Sequence, residues 1–327
     1  MRIPFEQLEA EFKRVLLQLS FEPSKADLCA RIFAENSRDG IETHGLNRFP
    51  VFVKFVKEGL INPAAEPKLV SALGAIERWD GNLAPGMYNA TLCMDRAISL
   101  ADTNGIGCVA IKNTNHWMRG GTYGWQAANA GYIGICFTNT IANIPPWGGT
   151  EPKLGNNPMV IAVPRKEGHI VLDMAVSQYS YGKINQYAGD KKQLPLPGGY
   201  DMAGNLTTDP DAILESQRAL PVGFWKGSGL SMLLDVLLTA LSGGKSVAEI
   251  TRSGNESGVS QCFICIKNPT MHDSLIDELI SFTKSSALVN PGDRILYPGE
   301  NTLLRRKQSL EAGVSVNEKI WQEVVAM

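Results

Sequence analysis

The sequence predicts an α/β protein, an α/β core joined to a mostly α-helical domain built from both chain ends. Three observations predict it. Apolar residues recur at helical spacing through the first 60 or so positions. Between about 105 and 175 the texture changes to short β-runs separated by Gly and Asn. From about 272 onward the chain returns to polar, helical patterning. A length of 327 residues suggests about two domains and permits a large buried core.

Taken in order, residues 5–20 and 24–37 carry helical spacing, with Ser24 expected as N-cap of the second. A third helix over 47–59, NRFPVFVKFVKEG, tolerates Pro50 early in its course and stops at Gly59. Pro63 and Pro67 precede a strand-like KLVSALGAIERWDG, and a long helix runs from about 85 to 104. GCVAIKN, GYIGICFTN, NNPMVIAVPR and GHIVLDMA read as strands, with a helix at about 120–130 between the first two. Residues 182–222, rich in Gly, Pro and Asp, read as a surface excursion of turns. A helix over about 227–243, the strand VSQCFICIK and a helix near 272–287 complete the pattern. The expected division is a helical domain 1–70, completed by about 230–255 and 272–327, beside an α/β domain 71–229. Strand 257–267 is added to the latter.

Composition excludes several function classes. A formal charge of −2 argues against a nucleic-acid or polyanion partner, which requires a clustered basic face. No apolar run reaches about 18 residues, so no transmembrane helix is expected. The acidic, amphipathic amino terminus is unlike a signal peptide, and the expected location is the cytoplasm. The six cysteines lie in apolar contexts. The CxxC of QCFICIK sits in a β-rich run with no second pair, so buried reduced thiols are expected rather than a zinc or redox site. No histidine pair or carboxylate cluster has metal-ligand spacing, and no metal is expected.

The chemistry concentrates in GIETHGLNRFP, residues 40–50. If Leu46 onward is helical, Arg48 sits about one turn from His44 and both side chains can enter a shared space. A proton donor beside a guanidinium is what reduction of a carbonyl next to a carboxylate requires. The same stretch also reads as a polar inter-helix loop with a capping histidine, and the residues alone leave both readings open. His116 follows Asn115 and precedes paired glycines, as where backbone must approach a ligand closely. A packed histidine in a turn is its other reading. Arg119 reads equally as a substrate contact or a surface charge. Two phosphate-loop signatures fail on context. GIGCVA, 105–110, fits G-x-G-x-x-[GA] but has a helix before it and a strand after, the reverse of the dinucleotide fingerprint. LSGGKS, 241–246, lacks the first glycine of a Walker A loop, since position 239 is Thr.

Five stretches together carry a resemblance: THGLNRFP (43–50), NTNHWMRGGTYGWQAA (113–128), GYIGICFTNT (131–140), PPWGGTEPKLGNNP (145–158) and GFWKGSGLSMLLD (223–235). The chain resembles the malate/L-lactate dehydrogenase-type oxidoreductases that lack a Rossmann fold, nearly without gaps from the first helix to the C-terminus. That resemblance implies a non-Rossmann NAD(P)-binding domain with a mixed sheet, a homodimer, and reduction of a 2-keto acid by NADH, with NADPH as the alternative. The branch it resembles most takes a keto sugar acid, 2,3-diketo-L-gulonate, reduced at C2 to 3-dehydro-L-gulonate. The same scaffold serves malate, lactate, ureidoglycolate or a cyclic imino acid, and a non-catalytic sugar-acid-binding protein is the alternative of another class.

By the same resemblance His44 is the acid/base residue, and Thr43 stands where relatives often have Ser. Thr43, Arg48 and His116 are implied to bind substrate, Arg48 at its carboxylate. Three separated segments are implied to hold the cofactor. The first is the strand His169, Ile170, Val171, Leu172, Asp173, Met174 and Ala175, whose Asp173 suits a ribose hydroxyl. The second is Trp225 with Lys226, and the third is Gly299 with Glu300. Gly227 and Gly229 open a helix whose amides favour the pyrophosphate.

Overall fold

The computed structural model describes residues 1–268, 270 and 272–327. The chain opens with β1 (Arg2–Ile3), α1 (Phe5–Gln18), α2 (Pro23–Arg38), two 3-10 turns at Glu42–His44 and Leu46–Arg48, and α3 (Phe49–Lys57). Next come β2 (Lys68–Leu73), β3 (Ile76–Asp80), α4 (Gly86–Asn104), β4 (Ile106–Thr114) and α5 (Gly121–Asn129). β5 (Tyr132–Thr138), β6 (Met159–Val163) and β7 (Ile170–Met174) follow. An excursion of α6 (Tyr181–Gly189), β8 (Gly199–Tyr200), β9 (Leu206–Thr207) and α7 (Pro210–Ser216) leads to α8 (Trp225–Ser242) and α9 (Val247–Arg252). The chain ends with β10 (Val259–Lys267), α10 (Asp273–Lys284), α11 (Glu300–Ala312), β11 (Val314–Ser315) and α12 (Glu318–Val325).

The two chain ends meet. Ile3 pairs with Val314 across β1 and β11, and Trp321 and Val324 of α12 enter the same core as Phe12, Phe33, Phe49 and Phe52. The aromatic centre is tight, with ring centroids 4.4 Å apart for Phe12–Phe49 and 5.0 Å for Phe33–Phe49. α2 starts one residue earlier than the spacing suggests. Its cap is Glu22, whose carboxylate accepts from the amides of Ser24 and Lys25, while Pro23 presets the first helical residue. Ser24 therefore lies inside the first turn rather than at the cap.

The main sheet runs in the order β2-β3-β4-β10-β5-β6-β7, and only β3 and β4 pair in parallel. The stretch expected as one strand over KLVSALGAIERWDG is the hairpin β2–β3, turning at Gly74 with φ +57°. β10 is late in sequence yet central in space. Its apolar run is buried against layers on both faces, which explains its near-continuous hydrophobicity. The cysteines are free thiols, and burial pushes those of Cys29 and Cys265 up to about 12.

α4 and α5 cover one face of the sheet. α4 ends where Gly105, at φ +80°, donates its amide to Ala101 O at 2.8 Å. GIGCVA is thus a helix stop running into β4. A Cβ on Gly107 would press on the α4 carbonyl of Ala97 and lie 2.7 Å from Leu100 Cβ. The constraint is close strand–helix packing, not a turn. Gly107→Ala is expected to lower stability by about 1–3 kcal/mol, the usual range for overpacking. NADH affinity of the folded fraction should stay unchanged. Thermal unfolding with NADH titration checks both; an unchanged melting temperature would remove the packing argument.

α8 covers the opposite face, where Leu234 and Leu238 share a core with Phe137, Val176 and Cys262. The sequence pattern assigns it to the helical domain from about 230. An almost wholly apolar helix shows no face in sequence, so periodicity could not say which body it joins. It also begins at Trp225, two residues before the expected start. The excursion expected to be turns holds two helices and a small hairpin around Ile144, Ile184, Leu194, Ile213 and Ala219. It is seated on the 3-10 turns, because Gly182 of α6 lies so close to Thr43 that a Cβ would be 2.8 Å from its Cγ2.

Candidate active site

The His44 segment is positioned by the end of α2. Instead of a helix from 47, two 3-10 turns flank Gly45, and α3 starts only at Phe49. Ser37 Oγ accepts from Leu46 N at 2.9 Å, and a Cβ on Gly45 would lie 2.7 Å from Ser37 N, so the residue after His44 must be glycine. Asn36 Nδ2 donates to His44 O at 3.1 Å, fixing the backbone from below.

The imidazole of His44 has Thr43 Oγ1 at 3.0 Å from Nδ1 and stacks on His116, centroids 5.5 Å apart and planes inclined by 20°. His116 Nδ1 accepts from Met118 N at 3.0 Å. In the neutral ring the proton therefore sits on Nε2, which lies 3.8 Å from Glu256 Oε1. Glu256 Oε2 in turn accepts from Ile141 N at 3.3 Å.

Electrostatics bind this group together. Burial lowers the His44 pKa most, Asp173 raises it, and Arg48 and Arg119 lower it, leaving it at about 4. Burial, then Arg48 and His44, hold His116 well below the usual histidine range. The Glu256 carboxyl is pushed up by burial, against Arg48 and the Ile141 amide. The Arg48 charge thus acts on His44, His116 and Glu256 alike. Among the described residues none hydrogen-bonds or ion-pairs with its guanidinium. Thr43, His44, Arg48 and His116 come together in one cluster whose free cation faces two neutral imidazoles. Such a cluster can bind a carboxylate and exchange a proton with an adjacent oxygen. Sequence reasoning missed Glu256. An acid in the Gly- and Ser-rich SGNESG reads as a solvated loop charge, and no local signal marks it as buried.

Arg119 is not a surface charge but part of a buried network. It is 6% exposed, with Nη1 on Asp39 Oδ2 at 2.9 Å, Nε on Asp173 Oδ2 at 3.4 Å and Nη2 on Thr302 Oγ1 at 3.1 Å. Asp39 also accepts from Arg38 Nε at 2.9 Å and from Arg306 Nε and Nη2 at 2.9 and 2.7 Å. Burial raises the Asp39 carboxyl, and Arg306, Arg119 and Arg38 outweigh it, so its pKa lies below the ordinary range. Asp173 Oδ2 further accepts from Gly121 N at 3.0 Å, holding the start of α5. The residue expected at a ribose hydroxyl is therefore also a charge neighbour of His44.

The first and third expected cofactor segments lie side by side, and the second starts near the end of β7. Val171 N donates to Pro298 O at 2.9 Å, and Gly299, at φ +97°, packs against Val171 N and His169 O. Val222 N donates to Val176 O at 3.0 Å, bringing the start of α8 to the end of β7. His169 has both ring nitrogens engaged, Nδ1 by Arg165 N at 3.1 Å and Nε2 with Asn129 Oδ1 at 3.0 Å. The Glu300 carboxylate is held by Lys284 Nζ at 2.6 Å and Tyr297 N at 3.1 Å, which makes it a support of its own loop. Trp225 is 64% exposed, with Lys226 Nζ 6.0 Å from its ring centroid, and among the described residues no carboxylate pairs with that lysine. Gly227 packs directly on Val222, where a Cβ would clash. An exposed aromatic plane, an unpaired cation and first-turn amides beside a strand edge suit a dinucleotide. Phe224, at φ +59°, meets the half-exposed Trp147 at 5.3 Å, a neighbour the sequence did not single out.

Comparison with known proteins bears on this arrangement. The family described as malate/L-lactate dehydrogenase matches residues 3–325. The chain is 44% identical over 336 aligned positions to a curated 2,3-diketo-L-gulonate reductase of Escherichia coli, covering all of both chains. Malate dehydrogenase from Entamoeba histolytica superposes with a TM-score of 0.93 at 25% identity, over 99% of this chain and 96% of that one. Sulfolactate dehydrogenase from Methanocaldococcus jannaschii gives 0.89 at 30% identity, over 99% and 95%.

Proposed function

The chain belongs to the malate/L-lactate dehydrogenase family, and from that premise we propose that it reduces 2,3-diketo-L-gulonate to 3-dehydro-L-gulonate with NADH. Membership makes it an oxidoreductase and implies a nicotinamide cofactor. The observation that carries the reading is the unpaired Arg48 beside the stacked His44 and His116. The similarity to a curated diketogulonate reductase supports the choice of substrate.

When bound, the reduced nicotinamide supplies the hydride that C2 receives. Arg48 takes the substrate carboxylate through two parallel hydrogen bonds. His44 gives its proton to the oxygen that becomes the C2 hydroxyl. In the free chain His44 is neutral at pH 7, because burial and Arg48 depress its pKa. A substrate carboxylate on Arg48 removes part of that effect, so the anion and the proton enter together. His116, with its proton on Nε2, donates to a further substrate oxygen. Trp225, Lys226, the α8 amides and the Val171–Gly299 edge hold the dinucleotide, and Asp173 and Glu300 support the walls of its site.

A homodimer in the cytoplasm belongs to the same reading. Met232, Leu233, Val236 and Leu237 of α8 are 40–60% exposed, an apolar stripe that suits a second copy. Among the described residues no helix is long and apolar enough to cross a membrane.

NADH oxidation across a panel of 2-keto acids tests the proposal, with NADPH run in parallel. The highest kcat/KM is expected for 2,3-diketo-L-gulonate. A higher value for oxaloacetate, pyruvate or a cyclic imine would transfer the chain to that substrate. NADH binding without turnover on any of them would leave a sugar-acid-binding protein.

A further inference from the structure

We propose that Glu256 selects the substrate: its carboxylate accepts a hydrogen bond from a hydroxyl on the substrate's carbon chain and repels a second carboxylate. Keto acids that are hydroxylated and singly charged are admitted, and dicarboxylates are turned away. This rests on Arg48 and His44 being the carboxylate and carbonyl partners of a keto acid.

Glu256 enters from the loop between α9 and β10 and meets His116 at its Nε2 edge. The succession is His44, then His116 stacked at 5.5 Å, then Glu256 Oε1 at 3.8 Å from His116 Nε2. A substrate anchored at Arg48 and His44 extends along His116 toward this carboxylate. The side chain of Glu256 is 17% exposed, and its hydrogen bond from Ile141 N at 3.3 Å leaves most of its acceptor capacity open. Among the described residues its one ion-pair neighbour is His116, a neutral imidazole at a long distance. The largely desolvated acid thus has, among the described residues, no cation in ion-pair contact, only the more distant charge of Arg48, which is costly unless it is an acceptor for something.

Charge accounting gives the selection its sign. Among the described residues Arg48 is the one unpaired cation acting on the cluster, since Arg119 is committed to Asp39 and Asp173. A single substrate carboxylate satisfies Arg48. A second would sit beside Glu256 in a desolvated place with no counter-charge, and like charges there are strongly unfavourable. A hydroxyl in the same position donates to Glu256 instead.

Glu256→Gln keeps the shape and the bond from Ile141 but removes the charge. Two readouts are taken: kcat/KM for oxaloacetate against 2,3-diketo-L-gulonate, and calorimetric affinity for malate against L-gulonate. The substitution should raise the first ratio about a hundredfold, tighten malate by about tenfold or more, and weaken L-gulonate several-fold. Glu256→Asp, which retains the charge, should keep malate excluded. Both ratios staying within about twofold of the parent, with or without a fall in melting temperature, would overturn the assignment and leave Glu256 a support for His116 and Ile141. The calorimetric ratio needs no turnover. If the parent chain reduces no keto acid yet the ratio shifts, the selectivity stands and the proposed reaction falls. If the parent turns over and neither ratio moves, only the selectivity falls.

Discussion

His44→Asn is expected to lower kcat for keto-acid reduction by about 10²–10⁴, the usual worth of a positioned general acid. NADH affinity should hardly change, because the imidazole contacts Thr43 and His116 rather than the Trp225 or Gly299 segments. The pH profile separates catalysis from packing. The donor is the imidazolium, whose fraction in the free chain falls tenfold per pH unit above a pKa of about 4. For the parent chain kcat/KM in the reductive direction should therefore decline steadily from pH 5 to 8. Bound carboxylate offsets Arg48 and raises the His44 pKa, so kcat should break at a higher pH than kcat/KM. In His44→Asn both slopes should vanish. Near-native turnover in the variant, or an unchanged slope, would remove His44 from proton transfer.

Asp39→Asn is expected to cost about 3–5 kcal/mol, the penalty for breaking a buried ion pair by removing one partner. Asp39 has a side chain only 3% exposed and answers Arg119 and Arg306 together. With its charge gone, Arg119, itself 6% exposed, keeps Asp173 at 3.4 Å as its carboxylate partner, besides the neutral hydroxyl of Thr302. Denaturant unfolding measures the loss. Glu35→Gln is the control, since the Glu35–Arg38 pair is long, at 3.5 Å, and its acid is 35% exposed. A change below about 1 kcal/mol is expected there. Equal effects at the two positions would show that the network round Asp39 is no more than a surface pairing.

Much of this protein follows from local pattern. The helices at both ends, the β-runs of the middle and the rejection of GIGCVA as a phosphate loop rest on periodicity and on the order of neighbouring elements. Those are properties of ten or fifteen consecutive residues, and sequence carries them directly. The segment with His44 and Arg48 was legible for the same reason, though its two 3-10 turns were not. They depend on Ser37 filling the space where any side chain at position 45 would stand.

The body that α8 joins, the core of the 182–222 excursion, the burial of Glu256 and the partners of Arg119 were decided only by tertiary structure. Arg119 reaches partners 80, 54 and 183 positions away. An arginine in a glycine-rich loop and an acid in a serine-rich one carry the same local signature whether solvated or buried. What distinguishes them is desolvation and an opposing or absent charge, and both arise only when distant elements close over them.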